Sequence, residues 1–282
     1  MALEHRLMHL ETLTYMFHNF AHELKCGTDT GVSWAISAPS VKEEWCDIPA
    51  GDAILGKPRD GSFGWDNEFD EVHRYVPAFR VQRFNVTNGD YLQYVEDGAP
   101  MPHFWTLQGG GIFYRGMFEN IALPLDWPVY VTQQEAEAYA QWLGKQLPSE
   151  EQFHRAAYAG DAPAGRYYPW GSQQPSSSLG NFDSAHWEPE SVYSYPQSDS
   201  YFGVRQLIGN GWEWTRSAFA PFPGFRARDT YPGYSANFFD DEHYVLKGGS
   251  PRTAARLLRR SFRNWFRRDY PYVYATFRCV EQ

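Results

Sequence analysis

Apolar residues recur at three- and four-residue steps from the first residues of the chain: Leu3, Leu7, Leu10, Leu13, Phe17, Phe20 and Leu24. This period predicts one amphipathic helix over residues 2–25, ended at Cys26-Gly27 with Gly27 as its C-terminal cap. A lone helix cannot bury such a stripe, so it needs partner helices or a seat on the remainder of the chain. Met1 stands inside the helical pattern with no cap before it, which predicts that the natural protein, or its relatives, continue upstream. Residues 28–62 are rich in Gly, Pro and Ser and read as a connector.

From Phe63 onward the pattern changes to short strands and turns. Val76–Val81 reads as a strand. Val86-Thr87-Asn88-Gly89-Asp90-Tyr91 leads into a short helix ending near Gly98, capped by Thr87 or Asn88. The clearest helix lies at 133–143. Thr132 is its N-cap, Glu135 completes a capping box, Ala136, Tyr139, Ala140 and Leu143 form its apolar face, and Gly144 stops it. Ser149 and Gln152 repeat the same logic for a helix near 150–159. Strand-length aromatic pieces fill the rest, and there is no internal repeat. The fold class is α+β with many ordered loops, divided into a helical piece (1–27), a linker (28–62) and a main domain (63–282).

Composition narrows the picture. The 282 residues include 11 Trp, 19 Tyr and 20 Phe, an 18% aromatic content that fits a loop-rich globular domain and not a disordered chain. A net charge of −9 argues against electrostatic nucleic-acid binding and suits a cationic small substrate. Three cysteines, Cys26, Cys46 and Cys279, do not make a disulfide framework. No run is apolar enough to span a bilayer, and the N-terminus is a polar helix and not a secretory signal. The expected setting is a reducing cytoplasm, with the chain acting as a monomer on small molecules.

The candidate chemistry sits in the first helix. His5 and His9 are four residues apart, about 6 Å on one helical face, so their imidazoles can grip one metal ion. Imidazole suits Fe, Zn, Cu and Ni alike, so the pair does not choose the metal. Glu11 lies about 200° around the helix from His9 and reads as a structural or supporting group. His18 and His22 fall roughly 140–180° from that face and are poor ligands. The alternative for the pair is two surface imidazoles on an amphipathic helix.

Several segments carry a resemblance. Val86-Thr87-Asn88, Pro128–Thr132, Glu135–Tyr139, Trp142–Glu150, Tyr168-Pro169-Trp170-Gly171, Gly209-Asn210-Gly211-Trp212-Glu213-Trp214-Thr215, Lys247-Gly248-Gly249-Ser250 and Thr276-Phe277-Arg278-Cys279 together resemble the formylglycine-generating-enzyme/sulfatase-modifying-factor domain, a variant of the C-type lectin fold. The paired catalytic cysteines of true formylglycine generators are absent. Instead, the His5/His9 helix, Gly64-Trp65-Asp66-Asn67-Glu68 and Phe262-Arg263-Asn264-Trp265 resemble the ergothioneine-type non-heme iron sulfoxide synthases, with ovothiol and selenoneine synthases as cousins. In that family a DinB-like four-helix bundle precedes the lectin-like domain, and iron lies between them.

The resemblance implies an O2-dependent enzyme that joins a thiol (cysteine or γ-glutamylcysteine) to the imidazole of trimethylhistidine. It implies Fe(II) on His5 and His9, with a third histidine from an earlier helix that this sequence does not contain. The chain thus resembles the C-terminal part of such an enzyme, expected to hold iron weakly or not at all by itself. Asn264 and Trp265 match the pair that contacts trimethylhistidine. Tyr231 and Tyr234 resemble the tyrosines near the iron, Tyr231 as the catalytic proton donor and Tyr234 in substrate binding. Arg268, with Arg263, can hold a substrate carboxylate through paired hydrogen bonds, or form a structural ion pair. Where the family often has Gln and Asp, this chain has Met8 and Phe266, which implies a different subclade, altered substrate choice or lost activity.

Other roles stay open at this level. Trp265 can be a cation–π wall for a quaternary ammonium or a core aromatic. Asn264 can be a turn-capping amide and Tyr231 a surface-loop residue. Trp212 and Trp214 read as core. Asp66, Asn67 and Glu68 can coordinate a structural Ca2+ or, the preferred reading, brace a loop. A non-catalytic lectin-like binding module is the competing function, and a copper-dependent formylglycine generator a distant third.

Overall fold

The computed structural model describes residues 1–26, 43–160 and 166–282. Its first helix, α1 (Ala2–His18), is shorter than the apolar period predicts, and His22–Leu24 forms a separate 3-10 turn. At the break, Asn19 Nδ2 donates to the Tyr15 carbonyl at 2.7 Å, a side-chain competitor for the helical ladder. The expected Gly27 cap lies outside the described residues.

The orientation of α1 also departs from expectation. Its buried residues are Glu4, Glu11, Tyr15 and His18. Leu3, Leu10, Leu13, Phe20 and Leu24 of the apolar stripe are 54–72% exposed. Seven-, four- and three-residue steps put the buried four on one face, so the helix docks by a largely polar seam with Leu7 beside it and turns Leu3, Leu10 and Leu13 to solvent.

Part of the expected linker is structured. β1 (Trp45–Ile48) and β2 (Gly51–Leu55) lie in it, while 28–42 falls outside the described residues. The single strand expected over Val76–Val81 is two, β3 (Val72–Val76) and β4 (Phe79–Gln82). Pro77 between them has no N–H to give a ladder. β2 pairs antiparallel with β3, and β1 with β4.

The capped helices form where their boxes stand. α2 (Asn88–Glu96) follows Thr87, whose side chain accepts from Asp90 N. A meander of β5 (Trp105–Gln108), β6 (Gly111–Arg115) and β7 (Asn120–Ala122) comes next. α3 (Gln133–Trp142) and α4 (Glu150–Tyr158) carry the Thr132–Glu135 and Ser149–Gln152 boxes. Each box satisfies two backbone donors at a helix start, worth about 1 kcal/mol.

The central sheet contains β8 (Gly211–Ala218), β9 (His243–Gly249), β10 (Asn264–Arg267) and β11 (Ala275–Thr276), in the order β10-β9-β8-β11. The last strand, β12 (Val280–Glu281), closes on β4. Gly248 in β9 has φ +91°, and a Cβ there would stand 2.6 Å from the Leu207 carbonyl oxygen, so only glycine fits without movement. Trp212 and Trp214 are buried in the main core, as expected. Between them Glu213 takes two 2.7 Å hydrogen bonds from Arg278, both side chains fully enclosed. Arg278 also donates to the carbonyls of Gln82, Arg83 and Arg205. The Trp-Glu-Trp and Phe-Arg-Cys motifs are thus two halves of one buried joint. No helix among the described residues is long and apolar enough to cross a membrane.

Candidate active site

The polar seam of α1 fixes where its histidines point. Glu4 accepts from Trp65 Nε1 at 3.1 Å and takes two 3.0 Å hydrogen bonds from Arg259. Arg259 also grips Glu68, which accepts from Ser261 and the Trp65 backbone. Glu11 accepts from Trp212 Nε1 (2.8 Å), Ser250 Oγ (2.5 Å) and Thr253 Oγ1 (2.9 Å). Burial raises the Glu11 pKa against these three donors. His18 Nε2 meets the Arg115 carbonyl at 2.9 Å, which makes that nitrogen the donor and leaves Nδ1 to accept from Tyr274 Oη at 3.0 Å. Burial pushes the His18 pKa down to about 3, so the ring is neutral. Glu4 and Glu11 therefore flank the His5/His9 pair, each tied to the domain.

On the outward side of that seam, His5 Nε2 and His9 Nε2 are 3.1 Å apart. Burial first, and then the His9 charge, lower the His5 pKa, which favours the neutral, ligating ring. Two nitrogens each about 2.1 Å from one ion at a right angle are about 3.0 Å apart. The pair therefore fits an ion as a two-point grip. Among the described residues no group of three or more His, Cys, Asp or Glu side chains is placed to hold a metal, so these residues do not complete a three-ligand site.

An aromatic wall adjoins the pair. The Tyr231 ring lies 5.4 Å from His5, and Trp65 lies 6.3 Å from it. Tyr234 stacks on Trp65 at 4.0 Å and meets Tyr231 at 5.6 Å and the edge of Trp265 at 5.3 Å. Trp265 in turn lies parallel to Phe219 at 4.2 Å. Tyr234 Oη donates to Met8 Sδ at 3.4 Å, and burial raises its pKa well above the ordinary phenol value. Met8, Asn264 and Phe266 line a 60 Å3 cavity between α1 and the domain. Asn264 Oδ1 accepts from the Trp265 backbone N–H at 3.0 Å.

His5, His9, Tyr231, Tyr234 and Trp265 thus form one connected group of rings, while Asn264 lines the neighbouring cavity against the middle of α1. Arg268 is held elsewhere, paired with Glu137 of α3 at 2.9 Å. Arg263 is buried in a two-bond pair with Glu150, its guanidinium over Phe219 and Phe222. Its role is structural. Glu68 is committed to Arg259 and Ser261, and Asp66 accepts from Ser235. These hydrogen bonds brace the loop, the reading preferred from sequence. Glu4, Trp65 and Arg259 were not singled out as supports. Glu4 carries a local signal, the seven-residue spacing that puts it on one helical face with Glu11; nothing local marks Trp65 or Arg259 as its partners.

A model of the family described as "Sulfatase-modifying factor enzyme 1-like domain" matches residues 37–282. Hercynine oxygenase of Mycolicibacterium smegmatis is 36% identical over 267 residues, 86% of this chain and 61% of that protein. Ergothioneine biosynthesis protein 1 of Neurospora crassa is 27% identical, covering 99% of this chain and 42% of its own length. The chain therefore spans less than two thirds of these curated relatives. Among solved structures, PvdO from Pseudomonas aeruginosa matches with a TM-score of 0.61 at 20% identity, over 84% of this chain and 93% of that one, a likeness of fold.

Proposed function

The chain belongs to the sulfatase-modifying factor enzyme 1-like family, and from that premise we propose that it is an O2-dependent non-heme Fe(II) sulfoxide synthase, or the C-terminal part of one. In this reading it joins the sulfur of cysteine or γ-glutamylcysteine to the imidazole of trimethylhistidine. The similarity to hercynine oxygenase supports it. The observation that carries it is the 3.1 Å approach of His5 Nε2 and His9 Nε2 beside Tyr231 and the Trp65–Tyr234–Trp265 wall.

Each residue has a task of its own. His5 and His9 would hold the metal as neutral imidazoles, and the reading requires a further ligand from outside the described residues. Bound iron supplies the capacity to activate O2 beside a thiolate. The Tyr231 hydroxyl, at 37% exposure the more accessible of the two tyrosines, moves the proton. Trp265 and Tyr234 hold a quaternary ammonium against ring faces, worth roughly 0.5–2 kcal/mol. The Asn264 amide orients the imidazole, and Arg268, tied to Glu137 of α3, keeps the alternative role of a structural ion pair. Three cysteines without a disulfide support a reducing, cytoplasmic setting.

The test is a mass-spectrometric assay for the C–S product with Fe(II), thiol, trimethylhistidine and O2, on the protein extended to the length of its relatives. Product that disappears in His5→Ala and His9→Ala supports the reading, and no product from the iron-loaded parent rejects it. The lack of a three-residue metal group among the described residues favours a second reading, a non-catalytic binding module. Stoichiometric iron retained by the chain as given would reject that one.

A further inference from the structure

A second cavity, of 250 Å3, opens beside α2 and α3, and its lining shares no residue with the histidine site. Its walls include Glu43, Phe84, Asn85, Asp90, Tyr139 and Trp142. Two of its charges and one of its donors are left over by the fold. Asp90 spends Oδ2 on the Thr87 N–H and hydroxyl at 3.0 and 2.7 Å, with no hydrogen bond to Oδ1 among the described residues. Glu44 is neutralised by Arg83 at 2.9 Å, whereas Glu43 has no ion pair among the described residues. Burial raises the Asp90 carboxyl, the Thr87 hydrogen bonds oppose that, and the charge of Glu43 adds to the rise; both acids line the same cavity, whose lining among the described residues holds no Lys or Arg.

Asn85 is the independent sign of a ligand. It is 4% exposed. Arg278, which can only donate, gives its Nη2 hydrogen to Asn85 Oδ1 at 3.2 Å. The amide is thereby fixed with Nδ2 as the remaining group, and Nδ2 has no partner. A buried amide donor left unpaired costs about 1–3 kcal/mol, so such a group is normally met by a protein acceptor, an ordered water or a bound molecule.

We propose that this cavity binds a small organic ammonium ion bearing an uncharged oxygen. The ammonium sits between Glu43 and Asp90, and its carbonyl or hydroxyl oxygen accepts from Asn85 Nδ2. The ring of Trp142, 40% exposed, adds cation–π attraction. A ligand ending in a carboxylate is repelled by the same two acids, so the site selects amides, esters or amino alcohols over free amino acids.

Calorimetric and saturation-transfer titrations with glycinamide, glycine and acetamide test this on the chain as given, without iron, so the outcome is independent of the histidine site. Glycinamide is expected to bind saturably, more weakly at high salt, while glycine and acetamide do not. Glu43→Gln, at an exposed position, should keep the wild-type melting temperature and lose about tenfold in glycinamide affinity. The proposal is overturned if glycinamide fails to saturate and the cavity holds water only. Equal binding of glycine or acetamide, or unchanged affinity in Glu43→Gln, overturns it too.

Discussion

At the scale of single residues, the proposed reading gives the groups around α1 separable jobs. Tyr231→Phe removes only a hydroxyl from an accessible ring. In the C–S product assay it should lower kcat by 10²–10⁴-fold, about the worth of a positioned proton donor, with little change in KM. Trp265→Ala should instead raise KM for trimethylhistidine by about 2–30-fold, the equivalent of the cation–π energy. A reversed pattern of kcat and KM effects would sink both assignments. His18 gives a pH dependence with a definite sign. Its folded pKa, about 3, lies below the ordinary imidazole value of about 6.5, so the unfolded state binds the proton first as pH falls. Stability should therefore drop by about 1.4 kcal/mol per unit on acidification between pH 5.5 and 4 from this group alone. His18→Gln should flatten the slope of unfolding free energy against pH by that amount. Glu188 works in the opposite direction. Burial raises its pKa to about 7, so the folded state keeps its proton longer and stability falls as pH rises from about 4.5 to 7.

At the scale of elements, what could be read in advance follows from where the information is written. α2, α3 and α4 were legible because a helix start is a local event, spelled by Thr87/Asp90, Thr132/Glu135 and Ser149/Gln152. The histidine pair was legible for the same reason, since a four-residue spacing is geometry within one element. The face on which α1 docks was not. Leucine periodicity reports an apolar stripe but not which surface waits for it, and the donors that claim Glu4 and Glu11 come from Trp65, Trp212, Ser250, Thr253 and Arg259, far away in the chain. β1 and β2 were missed because their partners, β4 and β3, were needed to make strands of them. The inverted docking can be checked by urea unfolding. Leu13→Ala, at a position 59% exposed, should change stability by no more than about 0.5 kcal/mol. Glu11→Ala strands three buried donors and should cost about 2–5 kcal/mol. Equal losses would mean that α1 sits the other way round.

At the scale of the whole molecule, the joint between Glu213 and Arg278 ties β8 to the chain's C-terminal end and to the turn after β4. Both side chains lie out of water, so removing one partner strands the other charge. Arg278→Ala should cost about 3–5 kcal/mol and lower the urea midpoint without changing the slope of the transition. The motifs that carry this joint were visible in the sequence, but their pairing was not, because nothing local links residue 213 to residue 278. The same limit applies to the site: its residues were named one by one, while the wall made by Trp65, Tyr234 and Trp265 exists only after folding.

The outward leucines of α1 have a consequence for how this protein can change. Leu13 stands one turn beyond His9, so the apolar stripe borders the imidazole pair, while the carboxylate moorings occupy a third side of the helix. A neighbour that settles on Leu10 and Leu13 would crowd His9, so association and access to the pair are coupled along the same seventeen residues.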